Sequence, residues 1–268
     1  MLSVLSPAKK LDLEPMDYPG VASEPSLGKH TAILARAAKK LSVSELQNLM
    51  KLSDNLAELN SERFKAFRLN GRSNSSKPAM LTFNGNVYEG LDAGSLSAED
   101  IDFAQDHVRI LSGLYGVLKP MDKIQPYRLE MGRKLATERG SNLYQFWGST
   151  IAETLMQDMA GHKDQTIVNL ASNEYFKAVD KKALNVPVIE TKFLNVKDGQ
   201  ARNLMFFGKK GRGLMARWIV QNRIDMADDL RGFNVEGYKY SKSQSTPELM
   251  IFTRKQPPPP SKKAQPKK

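Results

Sequence analysis

The sequence lacks cysteine altogether, and it has only three histidines among 268 residues. Without thiols, the chain cannot form disulfides, use a thiolate as a nucleophile, or hold zinc or an iron–sulfur cluster through cysteine. His30, His107 and His162 are scattered, and none stands in the H-x-x-x-H or H-x-x-E spacing of a metal site. We therefore predict no built-in metal site.

Long apolar runs and nucleotide-binding motifs are absent as well. No stretch approaches the roughly 20 apolar residues of a membrane span, and the apolar run in residues 1–12 is too short for a signal peptide. There is no Walker phosphate loop, and no Gly-x-Gly-x-x-Gly motif follows a strand. We expect a cytoplasmic protein with no cofactor and no membrane contact. The sequence identifies no protein partner.

Basic residues are in clear excess. The 40 Lys and Arg against 29 Asp and Glu give a net charge of +11 and a pI near 9.6. Residues 256–268 hold four lysines and no acid, so residues 1–255 keep +7, which is +11 minus 4. A basic folded body is typical of proteins that bind phosphate-bearing partners such as nucleic acid. Charge alone does not separate DNA from RNA.

Strand-like and helix-like segments are interleaved without strict alternation, which predicts an α/β fold with a mixed sheet surrounded by helices. The predicted strands are residues 2–5, 79–83, 166–171, 187–196, 201–207, 233–240 and 248–254, and the predicted helical segments are 29–69, 98–111, 144–160 and 210–223. Pro7 ends the first strand, and Asp198-Gly199 predicts a hairpin between the strands at 187–196 and 201–207. Ser42 and Ser53 are predicted to cap the helices that follow them. This length allows one large domain or two small ones. The Pro- and Lys-rich residues 256–268 are predicted to be disordered, because proline removes donors and lysines repel one another.

Polar residues follow three of the predicted strands. Lys9 comes soon after the first, Asn84 directly after the second, and Ser172 directly after the strand at 166–171. In open α/β sheets, ligands bind outside the carboxyl ends of the strands. We therefore predict that these three positions line one crevice.

Glycines, prolines and aromatic residues are concentrated at 109–148. With a helix predicted to end at Leu111, the Gly113-Leu114-Tyr115-Gly116 turn and the following Lys119 resemble a helix-hairpin-helix, whose turn amides grip a phosphate. The alternative is an ordinary glycine at a helix end, which is very common. The nearby aromatic rings could stack on unpaired bases, but packing into the core is expected for most of them.

The densest positive cluster lies at the predicted start of the helix at 210–223. It contains Lys209, Lys210, Arg212 and Arg217 among three glycines. Positive side chains are unfavourable at a helix N-terminus, so a bound phosphate, approached closely at the glycines, would compensate them. The alternative is a solvated face whose apolar side packs inward.

Acid–base candidates are Asp12, Asp122, Glu130 and Glu174, and Lys9 and Lys177 are candidate amine nucleophiles. None of them forms a recognised catalytic spacing. The catalytic residues therefore stay unassigned, and we expect binding rather than catalysis.

Six segments together resemble the bacterial peroxide-stress protein YaaA family: residues 6–9, 83–91, 109–132, 143–148, 169–177 and 233–238. The resemblance spans residues 1 to about 254. It implies a cytosolic protein associated with hydrogen-peroxide resistance, lowered intracellular iron and limited oxidative DNA damage. It also implies an unusual single-domain α/β fold, here residues 1–255, with a basic cleft, a helix-hairpin-helix element and binding to DNA, including distorted or branched forms.

We expect a largely sequence-independent DNA-binding protein whose partner is double-stranded or distorted and branched DNA. The predicted nucleic-acid-binding residues are Lys9, Gly113, Gly116, Lys119, Arg128, Lys177, Lys209, Lys210, Arg212 and Arg217. One alternative is a glycosylase or lyase that uses Lys9 or Lys177 as an amine nucleophile. Another is an enzyme acting on a small phosphate-containing molecule.

Overall fold

The structure is a computed structural model that describes residues 1–68 and 76–258. The strands are β1 Leu2–Leu5, β2 Lys10–Leu11, β3 Lys77–Pro78, β4 Phe83–Asn84, β5 Val108–Ser112, β6 Gly116–Leu118, β7 Lys123–Ile124, β8 Ile167–Leu170, β9 Val188–Lys197, β10 Gln200–Arg202, β11 Lys239–Tyr240 and β12 Leu249–Lys255. The predicted disordered tail lies outside the described residues from 259 onward, and so does residue 69 of the first helical segment.

The α-helices are α1 Gly28–Lys39, α2 Val43–Met50, α3 Asp54–Ala66, α4 Ala79–Thr82, α5 Asn86–Leu91, α6 Ala98–His107, α7 Leu143–Trp147, α8 Thr150–Asp158, α9 Asn173–Phe176 and α10 Met205–Gln221. Short 3₁₀ helices lie at Ala93–Ser95, Ala227–Gly232, Val235–Gly237 and Lys242–Gln244. Within residues 1–68 and 76–258, no helix is both long and apolar enough to cross a membrane.

The main sheet has the strand order β11-β12-β9-β8-β1-β5-β6, and β10 also pairs with β9. The inner strands β12, β9, β8, β1 and β5 are parallel to one another, whereas β6, β10 and β11 are antiparallel to their neighbours. β1, β5 and β8 are buried along their whole length, as expected for parallel strands covered on both faces. The predicted mixed sheet surrounded by helices is confirmed.

The predicted strands at 2–5 and 166–171 are confirmed as β1 and β8. The predicted hairpin is confirmed as β9 and β10, with Asp198 (φ 51°) and Gly199 (φ 76°) between the strands. Positive φ at both turn residues is the geometry that Asp-Gly favours. Ser42 begins α2 with a capping box, in which its hydroxyl accepts from the Glu45 amide at 3.3 Å. Ser53 stands at the equivalent position of α3 without a side-chain hydrogen bond.

The helix predicted at 98–111 ends early, at His107, and this prediction is wrong for its last residues. Residues 108–112 form β5, where Ser3, Val4 and Leu5 of β1 pair with it in parallel. A short buried apolar run fits a helix or a central strand equally well, and here the pairing with β1 and β6 decided between them.

The helix-hairpin-helix prediction is therefore wrong, because the Gly113 to Gly116 turn joins two antiparallel strands, β5 and β6. Both glycines are buried. A Cβ at Gly113 would overlap the Leu129 carbonyl, and one at Gly116 (φ +74°) would lie 2.8 Å from the Trp147 ring. These glycines allow close packing of the core, and their amides do not face a surface where phosphate could bind.

Other boundaries also differ from the prediction. The strand predicted at 79–83 is one helical turn, α4, followed by β4. The helix predicted at 144–160 is divided by Gly148 (φ 49°) into α7 and α8. The predicted strand 201–207 is only β10, since α10 begins at Met205 instead of residue 210. Of the strand predicted at 233–240, only Lys239 and Tyr240 form a strand, β11, and residues 235–237 form a 3₁₀ helix.

Candidate functional site

The carboxyl ends of β1 and β8 open into a cleft of about 400 Å³, which we call the strand-end cleft. Residues from five parts of the chain line it: residues 6–10, residues 84–88, Glu130, residues 172, 174 and 175, and the pair Lys209 and Arg212. Lys9, Asn84 and Ser172 therefore line one cleft, as predicted. Asn84, however, belongs to β4, which pairs with β2 and not with the main sheet. The lining includes four cationic side chains, Lys9, Lys10, Lys209 and Arg212, and two carboxylates.

Hydrogen bonds to Ser6 connect the segments that form the floor of the cleft. The Ser172 amide donates a hydrogen bond to Ser6 Oγ at 2.8 Å, and the Tyr88 hydroxyl donates to the Ser6 carbonyl at 3.0 Å. Burial raises the pKa of Tyr88 well above its ordinary value, so the hydroxyl stays protonated and keeps donating. These hydrogen bonds fix the backbone at Ser6, directly after β1, and so fix the start of the segment that carries Lys9.

Glu130 is the buried anion of the cleft, with a side chain only 4% exposed. Its carboxylate lies 3.4 Å from Lys9 Nζ, 3.2 Å from Arg128 Nη2 and 3.3 Å from Arg133 Nε. Burial opposes ionisation of Glu130. The Arg133 hydrogen bond and the charges of Arg128 and Arg133 outweigh it and hold its pKa below the ordinary value. Glu130, proposed from sequence as an acid–base candidate, is therefore an ionised anchor for three cations.

Helix α10 lies against α5, and its glycines make that contact possible. A Cβ at Gly213 would overlap the Val87 carbonyl, and one on Gly90 of α5 would overlap the Lys210 carbonyl. A Cβ at Gly211 would lie 2.6 Å from the Phe193 ring of β9. The interpretation of Gly211 and Gly213 as a close approach for phosphate is wrong, because protein atoms occupy that space.

The close approach of α10 brings Lys209 and Arg212 to the strand-end cleft. Both also line a neighbouring recess of about 810 Å³, which further contains Lys192, Glu190 and Glu248. Arg212 is partly buried, and burial lowers its pKa although Glu190 acts against this. Within residues 1–68 and 76–258, its guanidinium forms no hydrogen bond or ion pair.

The remaining predicted cations of α10 have protein partners elsewhere. Lys210 pairs with Glu236 at 2.5 Å. Arg217 donates to the carbonyls of Leu91 and Asp92 at 2.9 and 2.8 Å, at the end of α5. These two residues hold α10 in place and do not line the cleft.

The other predicted binding residues are also spread over the surface. Lys119 Nζ lies 3.9 Å from Asp158, in an ion-pair group around the buried Arg109. Lys177 stacks over the Tyr144 ring at 5.3 Å and lines a separate recess of about 530 Å³. Arg128 is engaged by Glu130. Of the ten predicted residues, the structure places Lys9, Lys209 and Arg212 on the cleft wall, with Arg128 behind it.

The other acid–base candidates also have structural partners. Asp12 pairs with Lys77 at 3.4 Å. Asp122 is buried and accepts from the Ser23 hydroxyl at 2.7 Å and the Lys119 amide at 2.8 Å. Glu174 Oε1 accepts from the Gly132 amide at 3.1 Å.

Two cationic residues of the site were missed from sequence, Lys10 of the lining and Arg133 behind it. Arg133 meets Glu130 across a turn, in which the Arg133 amide donates to the Glu130 carbonyl at 3.1 Å. A spacing of three residues indicates such a pair only within a helix, so no usable signal for it was present in the sequence. The rings of Tyr115, Tyr127 and Trp147 are buried in the core, as expected for most aromatic residues of this segment. The described ranges contain no group of three or more residues able to hold a metal ion.

Comparison with known proteins finds matches over nearly the whole chain. The family model described as peroxide stress protein YaaA matches residues 1–244. A UPF0246 protein of Phenylobacterium zucineum is 51% identical over 261 residues, which cover 97% of this chain and 97% of that protein. One of Caulobacter vibrioides is 50% identical over 257 residues, covering 96% of this chain and 100% of that protein. All residues that line the strand-end cleft fall inside the matched family region.

Proposed function

The chain belongs to the peroxide stress protein YaaA family, and on that premise we propose that it binds DNA through the strand-end cleft. The binding is largely independent of sequence and protects DNA during peroxide stress. The lowering of intracellular iron that the resemblance implies is a downstream effect in this proposal, since none of the cleft residues is a cysteine or histidine.

The charge and the surroundings of Arg212 are the main support for this proposal. Its guanidinium is permanently charged, partly buried, and without a hydrogen bond or ion pair in the described parts of the chain. Glu190 attracts this charge, but the two side chains form no ion pair, so the partly buried guanidinium lacks a direct counter-ion within those parts, which is unfavourable. A phosphate oxygen in the cleft would provide that counter-ion. The planar guanidinium can donate two parallel hydrogen bonds to a phosphate group.

The neighbouring groups support a phosphate contact rather than base reading. Lys10 and Lys209 line the same cleft as Arg212, and so does Lys9, while Glu130 is paired with Lys9, Arg128 and Arg133. Lysine and arginine contacts to phosphate fix a nucleic acid in place but carry no sequence information. The net charge of +11 adds a long-range attraction to any polyanion.

We expect the Lys209→Ala/Arg212→Ala variant to bind all DNA sequences more weakly by a similar factor. Each phosphate contact contributes about −0.9 to the slope of log K against log salt concentration, so losing two contacts should flatten the slope by about 2. Fluorescence anisotropy with duplex, bubble and junction DNA over a salt series measures both quantities. The unvaried protein must lose affinity steeply as salt rises.

A matched control removes the same two charges elsewhere. Lys65 and Arg36 are exposed on α3 and α1, away from the cleft. Lys65→Ala/Arg36→Ala should change affinity little. Equal losses in both double variants would show that only net charge matters, and the cleft assignment would be wrong. Absence of binding at low salt would end the DNA-binding proposal.

A lyase or glycosylase remains the second candidate, because Lys9 lies in the cleft beside a buried carboxylate. An amine nucleophile needs burial or a nearby cation to become reactive, whereas the Lys9 side chain is 63% exposed and paired with Glu130. We therefore expect borohydride to trap no covalent adduct with abasic DNA. An adduct that is lost in Lys9→Ala would establish the enzyme instead.

A further inference from the structure

Met205 and Phe206, the first two residues of α10, form an exposed apolar pair. They are 75% and 54% exposed, and no other two consecutive large apolar residues in the described chain are both exposed. Exposed apolar residues that occur singly need no explanation, but an adjacent pair beside a candidate binding cleft does.

The pair projects from a rigid base. The Phe206 ring contacts Phe207 edge to face, with centroids 5.4 Å apart. Phe207 is in turn covered by the Arg254 guanidinium at 5.1 Å, and its carbonyl accepts from the Tyr238 hydroxyl at 3.5 Å. The exposed Phe206 ring and Met205 thioether are therefore held in position by α10 and its neighbours.

Cations without partners among the described residues lie beside this apolar pair. Met205 lines the same recess as Lys192, Lys209 and Arg212, for which residues 1–68 and 76–258 provide no hydrogen bond or ion pair. The carboxylates of that recess, Glu174, Glu190 and Glu248, each accept a hydrogen bond from another residue of the protein. Arg202 is exposed on the strand just before the pair. Between residues 199 and 224 there is no Asp or Glu. An apolar tip beside cations that lack partners in the described chain is complementary to the bases and phosphates of one nucleic acid, whereas a purely apolar partner would leave those cations unpaired.

We propose that Met205 and Phe206 form an apolar wedge that enters an unstacked base step of DNA whose phosphates lie in the strand-end cleft. This inference rests on the proposed DNA binding. Apolar side chains of this kind insert between base steps and kink the duplex, and the cost of unstacking is lowest where pairing is already disrupted. The wedge thus gives a preference for distorted over perfect DNA without reading sequence.

We expect Met205→Ala/Phe206→Ala to bind DNA with a two-base mismatched bubble about tenfold more weakly, since one base–aromatic stack changes affinity by about that factor. Affinity for the perfect duplex should stay within about twofold, because the cleft cations are untouched. Anisotropy titrations measure both affinities, and energy transfer between end labels measures the bend, which the variant should reduce. Phe206→Trp should keep the preference for the bubble.

The control is Leu56→Ala/Leu59→Ala, which removes two apolar side chains that are each 39% exposed on α3. It should leave the ratio of the two affinities unchanged. If the wedge variant binds DNA but keeps the preference and the bend, the wedge is wrong while the cleft proposal stands. If the variant instead converts a dimer to a monomer in sedimentation with DNA binding unchanged, the pair is a contact between copies. Failure of the unvaried protein to bind any DNA overturns both proposals.

Discussion

Gly213→Ala is expected to lower the free energy of unfolding by about 3 kcal/mol, the upper end of what overpacking a core usually costs. The added Cβ would overlap the Val87 carbonyl and lie 2.9 Å from the Leu91 amide nitrogen. Both are backbone atoms of α5, so no side chain can rotate away, and the two helices must separate. The gain in helix propensity, about 1 kcal/mol for Gly to Ala, offsets only part of this loss.

Urea unfolding followed by far-UV circular dichroism measures this loss. The control is Gly28→Ala in the first turn of α1, where a Cβ would meet nothing within 4 Å. That change should be neutral or should stabilise the protein by up to about 1 kcal/mol. If Gly213→Ala is as stable as Gly28→Ala, α5 and α10 do not meet as described. Arg212 is carried by the same turn of α10, so we also expect the variant to bind DNA more weakly in any salt.

Glu130→Gln is expected to destabilise the protein by about 2 to 3 kcal/mol at neutral pH. Removing one partner of a buried ion pair usually costs about 3 to 5 kcal/mol. The cost here is smaller because the three cations keep partial access to water, with Arg128 and Arg133 side chains 17% and 21% exposed. Without the carboxylate, these cations face one another across the cleft wall.

Glu174→Gln is the matched control, since it neutralises a second carboxylate of the same cleft. Glu174 is exposed and accepts a hydrogen bond from the Gly132 amide, which the glutamine oxygen can still accept. We expect the control to cost less than about 1 kcal/mol, the usual range for one hydrogen bond. Equal losses in both variants would contradict the role of Glu130 as the anchor of the three cations.

The pH dependence of the Glu130→Gln effect has a defined sign. The pKa of Glu130 is lower in the folded protein than its ordinary value of 4.5. A carboxylate of this kind stabilises the fold fully above the unfolded pKa, and that contribution disappears as the pH falls through the folded pKa. The stability difference between the unvaried protein and Glu130→Gln should therefore shrink steadily below pH 4.5. A difference that stays constant on acidification would mean that the carboxylate is not stabilised by its cations.

Much of the fold was predictable because the sequence features that indicate it lie within a few residues of one another. A buried apolar run before a proline predicted β1, Asp198-Gly199 predicted the β9–β10 hairpin, and Ser42 predicted the start of α2. Residues 108–111, which belong to β5, were mistaken for the end of a helix, because so short an apolar-rich run carries no periodicity that distinguishes the two structures. That one error produced the helix-hairpin-helix prediction at the following glycines.

The sequence by itself determined the excess of positive charge, the mixed α/β class and the convergence of Lys9 and Ser172, since parallel strands bring their carboxyl ends to one edge. Asn84 reaches the same cleft for a reason that the sequence did not show, because β4 pairs with β2 beside the main sheet. Only the tertiary structure decided which cations are available to a ligand. Lys210 pairs with Glu236, and Arg217 binds the end of α5 more than 120 residues away. Arg212, between them on the same helix, reaches the cleft without such a partner among the residues that the structure describes. A basic cluster shows how much charge is present, but whether each charge is neutralised depends on residues that only folding brings within a few ångströms.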